Sequence, residues 1–134
     1  MKTDIRPTPE QLFDAFIALC VDNDQRSNSA TFVKNGHVVG VGIWQNSRVD
    51  TIEVAIDRNR RYQELAPRFI EQLGHDPRVL DYSLEGASMA TDAFCPFPDA
   101  PIAAHDAGVR TMIVIEGGER YELVLEKMRE KGDV

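Results

Sequence analysis

The sequence has little of what would place it outside the ordinary globular class. Its two cysteines, Cys20 and Cys95, stand far apart, with no C-x-x-C pair and no histidine company. That argues against a disulfide framework and against a zinc-ligand motif, and predicts two reduced thiols. No apolar run approaches the ~20 residues that span a bilayer, and Met1 to Arg6 lacks the apolar core of a signal peptide. A soluble, cytoplasmic protein is expected, with no membrane partner. Basic residues are in deficit: 15 Lys and Arg oppose 22 Asp and Glu, for a formal charge of -7. Such a balance repels phosphate backbones and anionic lipid, so nucleic acid is not expected as a partner. Repeats, coiled-coil heptads and low-complexity tracts are also missing.

What remains is one domain's worth of chain, 134 residues, 43% hydrophobic and 28% charged, enough to bury a single core. Thr8-Pro9-Glu10-Gln11 combines a capping box with proline at the first helical position, predicting a helix to about Val21. Leu12, Phe16, Leu19 and Cys20 share one face of it, widened by Phe13 and Ile17, so a mostly buried helix is expected. Asn35-Gly36 between two β-rich runs predicts a hairpin. A second helix is read from Ser47, as N-cap, to about Glu64. Helical periodicity resumes around Phe69, Ile70 and Leu73 and is broken by Gly74 and Pro77. Ala87 to Phe94 reads as a strand, Asp99 to Ala107 as a short helix closed by Gly108, and Met112 to Ile115 as a buried parallel strand. Gly117-Gly118 leads into a last helix carrying Tyr121, Val124, Leu125 and Met128. This order predicts an α/β fold, a three-layer α/β/α sandwich with a mixed sheet.

Two segments are more particular than local structure requires. The first comprises Ser27-Asn28-Ser29, Lys34-Asn35-Gly36, Gly40, Gly42, Gln45 and Ser47-Arg48. Alternating glycines along a strand let another backbone or a ligand approach closely. The strand end and the Ser47 helix start then converge, and Arg48 adds a planar fork suited to carboxylate or phosphate. The plainer alternative is a turn at Asn35-Gly36, a cap at Ser47 and a solvated Arg48.

The second segment is Thr91-Asp92-Ala93-Phe94-Cys95-Pro96-Phe97-Pro98-Asp99. Its prolines rigidly display aromatic surface beside the Asp99 carboxylate, in a loop at the carboxyl end of a strand, where ligands of α/β sheets tend to bind. A carboxylate there can accept two N–H bonds from an aminopyrimidine-like ring flanked by Phe94 and Phe97. The alternative is that Asp99 is an N-cap and the phenylalanines are core. His37, His75 and His105 lack metal-ligand company, so no metal is expected. Glu116-Gly117-Gly118-Glu119 lacks the spacing of a phosphate loop and carries two acids that repel phosphate; a plain turn is expected. Arg58, Arg60 and Arg61 read as a solvated helix face.

Together the two segments resemble the transformylase part of the bifunctional purine-biosynthesis family that formylates aminoimidazole carboxamide ribonucleotide (AICAR) and closes the ring to inosine monophosphate (the IMP cyclohydrolase step). The resemblance runs from Pro9 to about Lys131. It implies a cytidine-deaminase-like lobe that works in a dimer, with formyl-tetrahydrofolate as one-carbon donor and no metal in the transfer. By resemblance, Asn28, Gln45 and Arg48 bind the AICAR substrate, while Phe94, Pro96, Phe97 and Asp99 hold the folate's pterin. The family's catalytic Lys-His pair lies in an earlier lobe, so no catalytic residue is assigned within this chain. Cys95 replaces an aromatic residue of the family pattern, Pro98 a basic one and Ala100 a polar one.

The resemblance implies a formyltransferase lobe that needs a second chain for the Lys-His half. An inactive folate or purine-intermediate binding module, and a structural protein with remnant motifs, are the alternatives. A lobe without its neighbour exposes apolar surface, so a homo-oligomer is expected.

Overall fold

The computed structural model describes residues 6–74, 81–93, 95–113 and 120–131. Its elements run α1 (Pro9–Asn23), β1 (Ala30–Lys34), β2 (His37–Gly42), α2 (Arg48–Leu73), β3 (Ser88–Thr91), α3 (Asp99–Asp106), β4 (Thr111–Ile113) and α4 (Tyr121–Lys131). The strands form a mixed sheet in the order β2-β1-β3-β4. β1 pairs antiparallel with both β2 and β3, and β3 pairs parallel with β4. Helices cover both faces, giving the three-layer α/β/α arrangement.

Each start and stop has a local cause. Thr8 Oγ1 accepts the Gln11 N–H at 3.2 Å while Gln11 Oε1 accepts the Thr8 N–H at 2.9 Å, which closes the capping box of α1. Asn35 and Gly36 turn the hairpin with φ of 51° and 76°, the left-handed pair that a two-residue hairpin requires. Ser47 Oγ accepts the Asp50 N–H at 3.1 Å to open α2. That helix does not stop near Glu64: it continues through Pro67 to Leu73, and Gly74, with φ of 66°, ends it in the left-handed region. The two helical signals on either side of Glu64 therefore belong to one element.

Side chains along β1 alternate between two cores. Ala30 and Phe32 join Val39, Ile52, Ala55 and Met89 beneath α2 and α3, while Val33 and Ala90 pack against Ala18 of α1. Gly40 and Gly42 explain how closely α2 lies. A Cβ on Gly40 would sit 2.8 Å from the Ala55 carbonyl oxygen, and one on Gly42 only 1.9 Å from that of Thr51. The alternating glycines admit a backbone, that of α2, to the face of the sheet.

The expected orientation of α1 is reversed. Its inner face is Asp14, Ala15, Ala18 and Asp22, and Leu12, Phe13, Phe16, Leu19 and Cys20 point outward, with Phe13 and Phe16 61% and 59% exposed. Two polar anchors outweigh the apolar stripe. The Asp14 carboxylate accepts the Asn35 and Gly36 N–H groups at 2.8 and 2.7 Å, and Asp22 accepts the Ser29 and Thr31 hydroxyls, both at 3.1 Å. The alanines between them let the helix settle close to β1 and β3.

β3 is shorter than the expected Ala87 to Phe94 strand. β4 is half-buried rather than buried, since no further strand covers its outer edge among the described residues. Phe94, Val114 to Glu119 and His75 lie outside the described residues. No described helix is long and apolar enough to cross a membrane.

Candidate functional site

Register fixes where the particular residues meet. Ala30 of β1 faces Gly42 of β2 on one side and Thr91 of β3 on the other. The segments 27–29, 43–48 and 92–93 consequently leave the sheet at the same end. Asp92 joins them: its Oδ1 accepts the Ser29 N–H at 2.8 Å and a hydrogen bond from the Arg48 guanidinium, which also reaches the Ser29 carbonyl at 3.4 Å. Arg48 and Asp92 side chains are 10% and 17% exposed, so Arg48 is not the solvated residue of the plainer alternative.

Asn28 and Gln45 lie beside this pair. The Asn28 side-chain amide donates to the Gln45 carbonyl at 2.9 Å, and the Gln45 amide donates to the Ile43 carbonyl, also at 2.9 Å. Between them Trp44 is 63% exposed with a left-handed φ of 61°, and the Arg26 guanidinium lies 5.3 Å from the centre of its ring.

The electrostatics follow from burial and from these bonds. Burial raises the Asp92 carboxyl, yet hydrogen bonds from Ser27, the Ser29 backbone and Arg48 more than offset it and hold the group below its ordinary value. Among the described residues Asp22 has no cationic partner in contact, and burial pushes its carboxyl up to about 6 despite the Thr31 and Ser29 hydroxyls. Burial likewise raises the Cys95 thiol, which feels the charges of both Arg48 and Asp92. Asp22, Ser29, Asp92 and Arg48 thus form a polar chain across the end of the sheet, from α1 to α2. Sequence reasoning gave no role to Asp22 or Asp92. Asp92 did stand in the second motif, but a partner 44 positions away in the sequence is not visible there.

The second segment starts at this chain and leads away from it. Thr91 Oγ1 donates to the Ala93 carbonyl at 2.8 Å, Cys95 is buried, and Pro96 is half-buried. Phe97 is 49% exposed, with the Arg120 guanidinium 4.7 Å from its ring centre. Asp99 is the first residue of α3, exposed and not its cap; Pro98 is the N-cap and forms no side-chain capping bond. Of the alternative reading, a capping Asp99 and a core Phe97 are both replaced by exposed groups. Ala100, Pro101 and Ala104 anchor the helix instead.

Amide groups of Asn28 and Gln45 thus lie beside the junction pinned by Asp92, and an exposed ring and carboxylate, Phe97 and Asp99, follow that junction along the chain. Among the described residues no cluster of three His, Cys, Asp or Glu side chains is placed to hold a metal ion.

Comparison with known proteins identifies similar sequences. A family model described as AICARFT/IMPCHase bienzyme matches residues 1–58. The bifunctional purine biosynthesis protein PurH of Bacteroides thetaiotaomicron is 29% identical over 130 residues, covering 97% of this chain and 22% of that protein. PurH of Parvibaculum lavamentivorans is 34% identical over 126 residues, covering 94% of this chain and 21% of its own length. PurH of Roseobacter denitrificans is 35% identical over 126 residues, with 94% and 22% covered. The chain spans about a fifth of the length of the curated relatives it matches. These similarities support the bifunctional purine-biosynthesis family.

Proposed function

We propose that this chain serves purine biosynthesis as a ligand-binding lobe of the transformylase part of that family, taking part in formyl transfer from formyl-tetrahydrofolate to AICAR. The observation that carries the reading is the Asp92 junction. Two motifs far apart in the sequence, each quoted by the resemblance, are joined through hydrogen bonds from Ser29 and Arg48 to Asp92.

In this reading Asn28 and Gln45 present amide and carbonyl groups to the aminoimidazole carboxamide, and Arg48 holds the corner in shape through Asp92. Phe97 and Asp99 fit the donor's pterin: a half-exposed ring supplies a stacking face, and the exposed carboxylate accepts N–H groups. The folate supplies the formyl group; this chain's residues bind and orient it. A Lys-His acid–base pair is supplied from outside these 134 residues. The homo-oligomer expected above belongs to the same reading, and the outward face of α1, with Leu12, Phe13, Phe16 and Leu19, is the apolar surface available to it.

The test is a formyl-transfer assay on the purified chain, alone and mixed with a polypeptide bearing the Lys-His lobe. Turnover only in the mixture supports the reading; none in either, with no thermal shift by AICAR or a folate analogue at millimolar concentration, overturns it. A ligand at 100 times its Kd stabilises by about 2.7 kcal/mol.

A second reading, an inactive folate or purine-intermediate binding module, is favoured by the placement of the histidines. His37 opens β2, at the opposite end of that strand from Gly42, and His105 sits in the last turn of α3. Neither lies in the corner to act as a general base. Ligand-induced shifts without turnover in any mixture select this alternative.

A further inference from the structure

Two arginines stand at the corner, and only one is paired with an acid there. Arg48 is bonded to Asp92. Arg26 has the Trp44 indole as its contact and, among the described residues, no carboxylate partner. In a chain of formal charge -7, an arginine without an acid beside it is a local attraction for anions. Trp44 is equally hard to explain by folding. It is 63% exposed, so little of its ring is removed from water by packing, and it holds a left-handed φ of 61° that disfavours a bulky side chain. The segments carrying the two residues are fastened together two residues beyond Arg26 and one beyond Trp44, where Asn28 donates to the Gln45 carbonyl at 2.9 Å. A broad aromatic face and the guanidinium lying over it are thereby held together at the rim of the site.

We propose that Trp44 and Arg26 form a subsite for a flat heteroaromatic ring carrying a phosphate, a nucleoside monophosphate, with the ring stacked on the indole and the phosphate paired with the guanidinium. The choice of nucleotide rests on the functional reading above; the pair itself rests on the Trp44 and Arg26 geometry. Arg26 moves from the indole face to the phosphate as the ring takes its place. This assigns substrate recognition to two residues outside the set that the resemblance supplied.

Trp44 is the chain's one tryptophan, so its emission reports the subsite directly. The full chain is titrated with AICAR ribonucleotide and, separately, with the unphosphorylated riboside, while tryptophan fluorescence and thermal stability are followed in parallel. The expected result is saturable quenching by the ribonucleotide, at least tenfold weaker binding of the riboside, and at least tenfold weaker binding of the ribonucleotide to Arg26→Gln, whose melting temperature is unchanged. A thermal shift with flat tryptophan emission, or equal affinity in Arg26→Gln, overturns the subsite and leaves the functional reading standing. Neither quenching nor a thermal shift overturns both.

Discussion

The Arg48 and Asp92 side chains are 10% and 17% exposed and bonded to each other and to Ser29, whereas a few residues beyond them Phe97 is 49% exposed and Asp99 caps nothing. The second stretch follows the first along the chain, and both carry residues expected to bind ligand. The difference separates two jobs. Groups whose hydrogen bonds are used up inside the protein set the shape of the corner, and groups with bonding capacity left over are the ones a ligand can use. Stability should therefore fall steeply on changes in the first stretch and hardly at all in the second.

The largest effect is expected where α2 meets β2. A Cβ at Gly42 would stand 1.9 Å from the Thr51 carbonyl oxygen, a backbone atom that cannot swing aside. Gly42→Ala must push the start of α2, and Arg48 with it, off the sheet. A loss of about 3 kcal/mol or more is expected, read as a drop in the denaturation midpoint. An unchanged midpoint would mean that α2 does not lie as close as described.

Asp92→Ala comes next. It removes the acceptor of the Ser29 N–H and leaves the Arg48 guanidinium without its carboxylate in a largely buried place. The expected cost is about 2 kcal/mol. Asp92→Asn should recover part of it, because the amide oxygen can still accept the Ser29 N–H. Equal losses for both variants would point to the charge alone.

Asp22 reverses the usual effect of pH on a carboxylate. Its folded value of about 6 lies above the ordinary 3.8, so the fold favours the protonated group. That contribution is complete below about pH 3.8 and is lost as pH rises through 6. The chain should be about 1 kcal/mol less stable at pH 7.5 than at pH 5. Asp92 and Asp81, both held below 3.8, act at lower pH and leave this window to Asp22. Asp22→Asn should flatten the profile between pH 5 and 7.5, and a slope that survives the substitution belongs to another group.

These effects also mark how far the sequence could be read. The Thr8–Gln11 capping box, the Ser47 cap, the Asn35-Gly36 turn and the strand–helix–strand order of the last third depend on neighbours in the chain, and each lies where the residues predict. The face of α1 does not. Apolar spacing identifies a stripe but cannot say whether something covers it, and here Asp14 and Asp22 turn the helix by bonding a hairpin and a strand that lie 9 to 22 positions away. The site divides similarly. Glycines that admit a backbone and a serine that caps are local facts. The Arg48–Asp92 and Arg26–Trp44 contacts exist only once β1, β2 and β3 are in register.

The smallest effect on stability is expected at Asp99, where the comparison is sharpest. Its carboxylate lies in the first turn of α3 and helps the fold only through the helix dipole, so Asp99→Asn should cost about 0.5 kcal/mol or less. Its effect on binding should be large, because an amide offers one acceptor oxygen and a competing N–H where a carboxylate offers two acceptors to the pterin's N–H groups. Thermal shift separates the two quantities in one experiment. The ligand-free melting temperature should match that of the parent, and the increase caused by a folate analogue should vanish. A preserved increase removes Asp99 from the folate wall; a large fall in the ligand-free value instead makes it part of the scaffold, as Asp92 is.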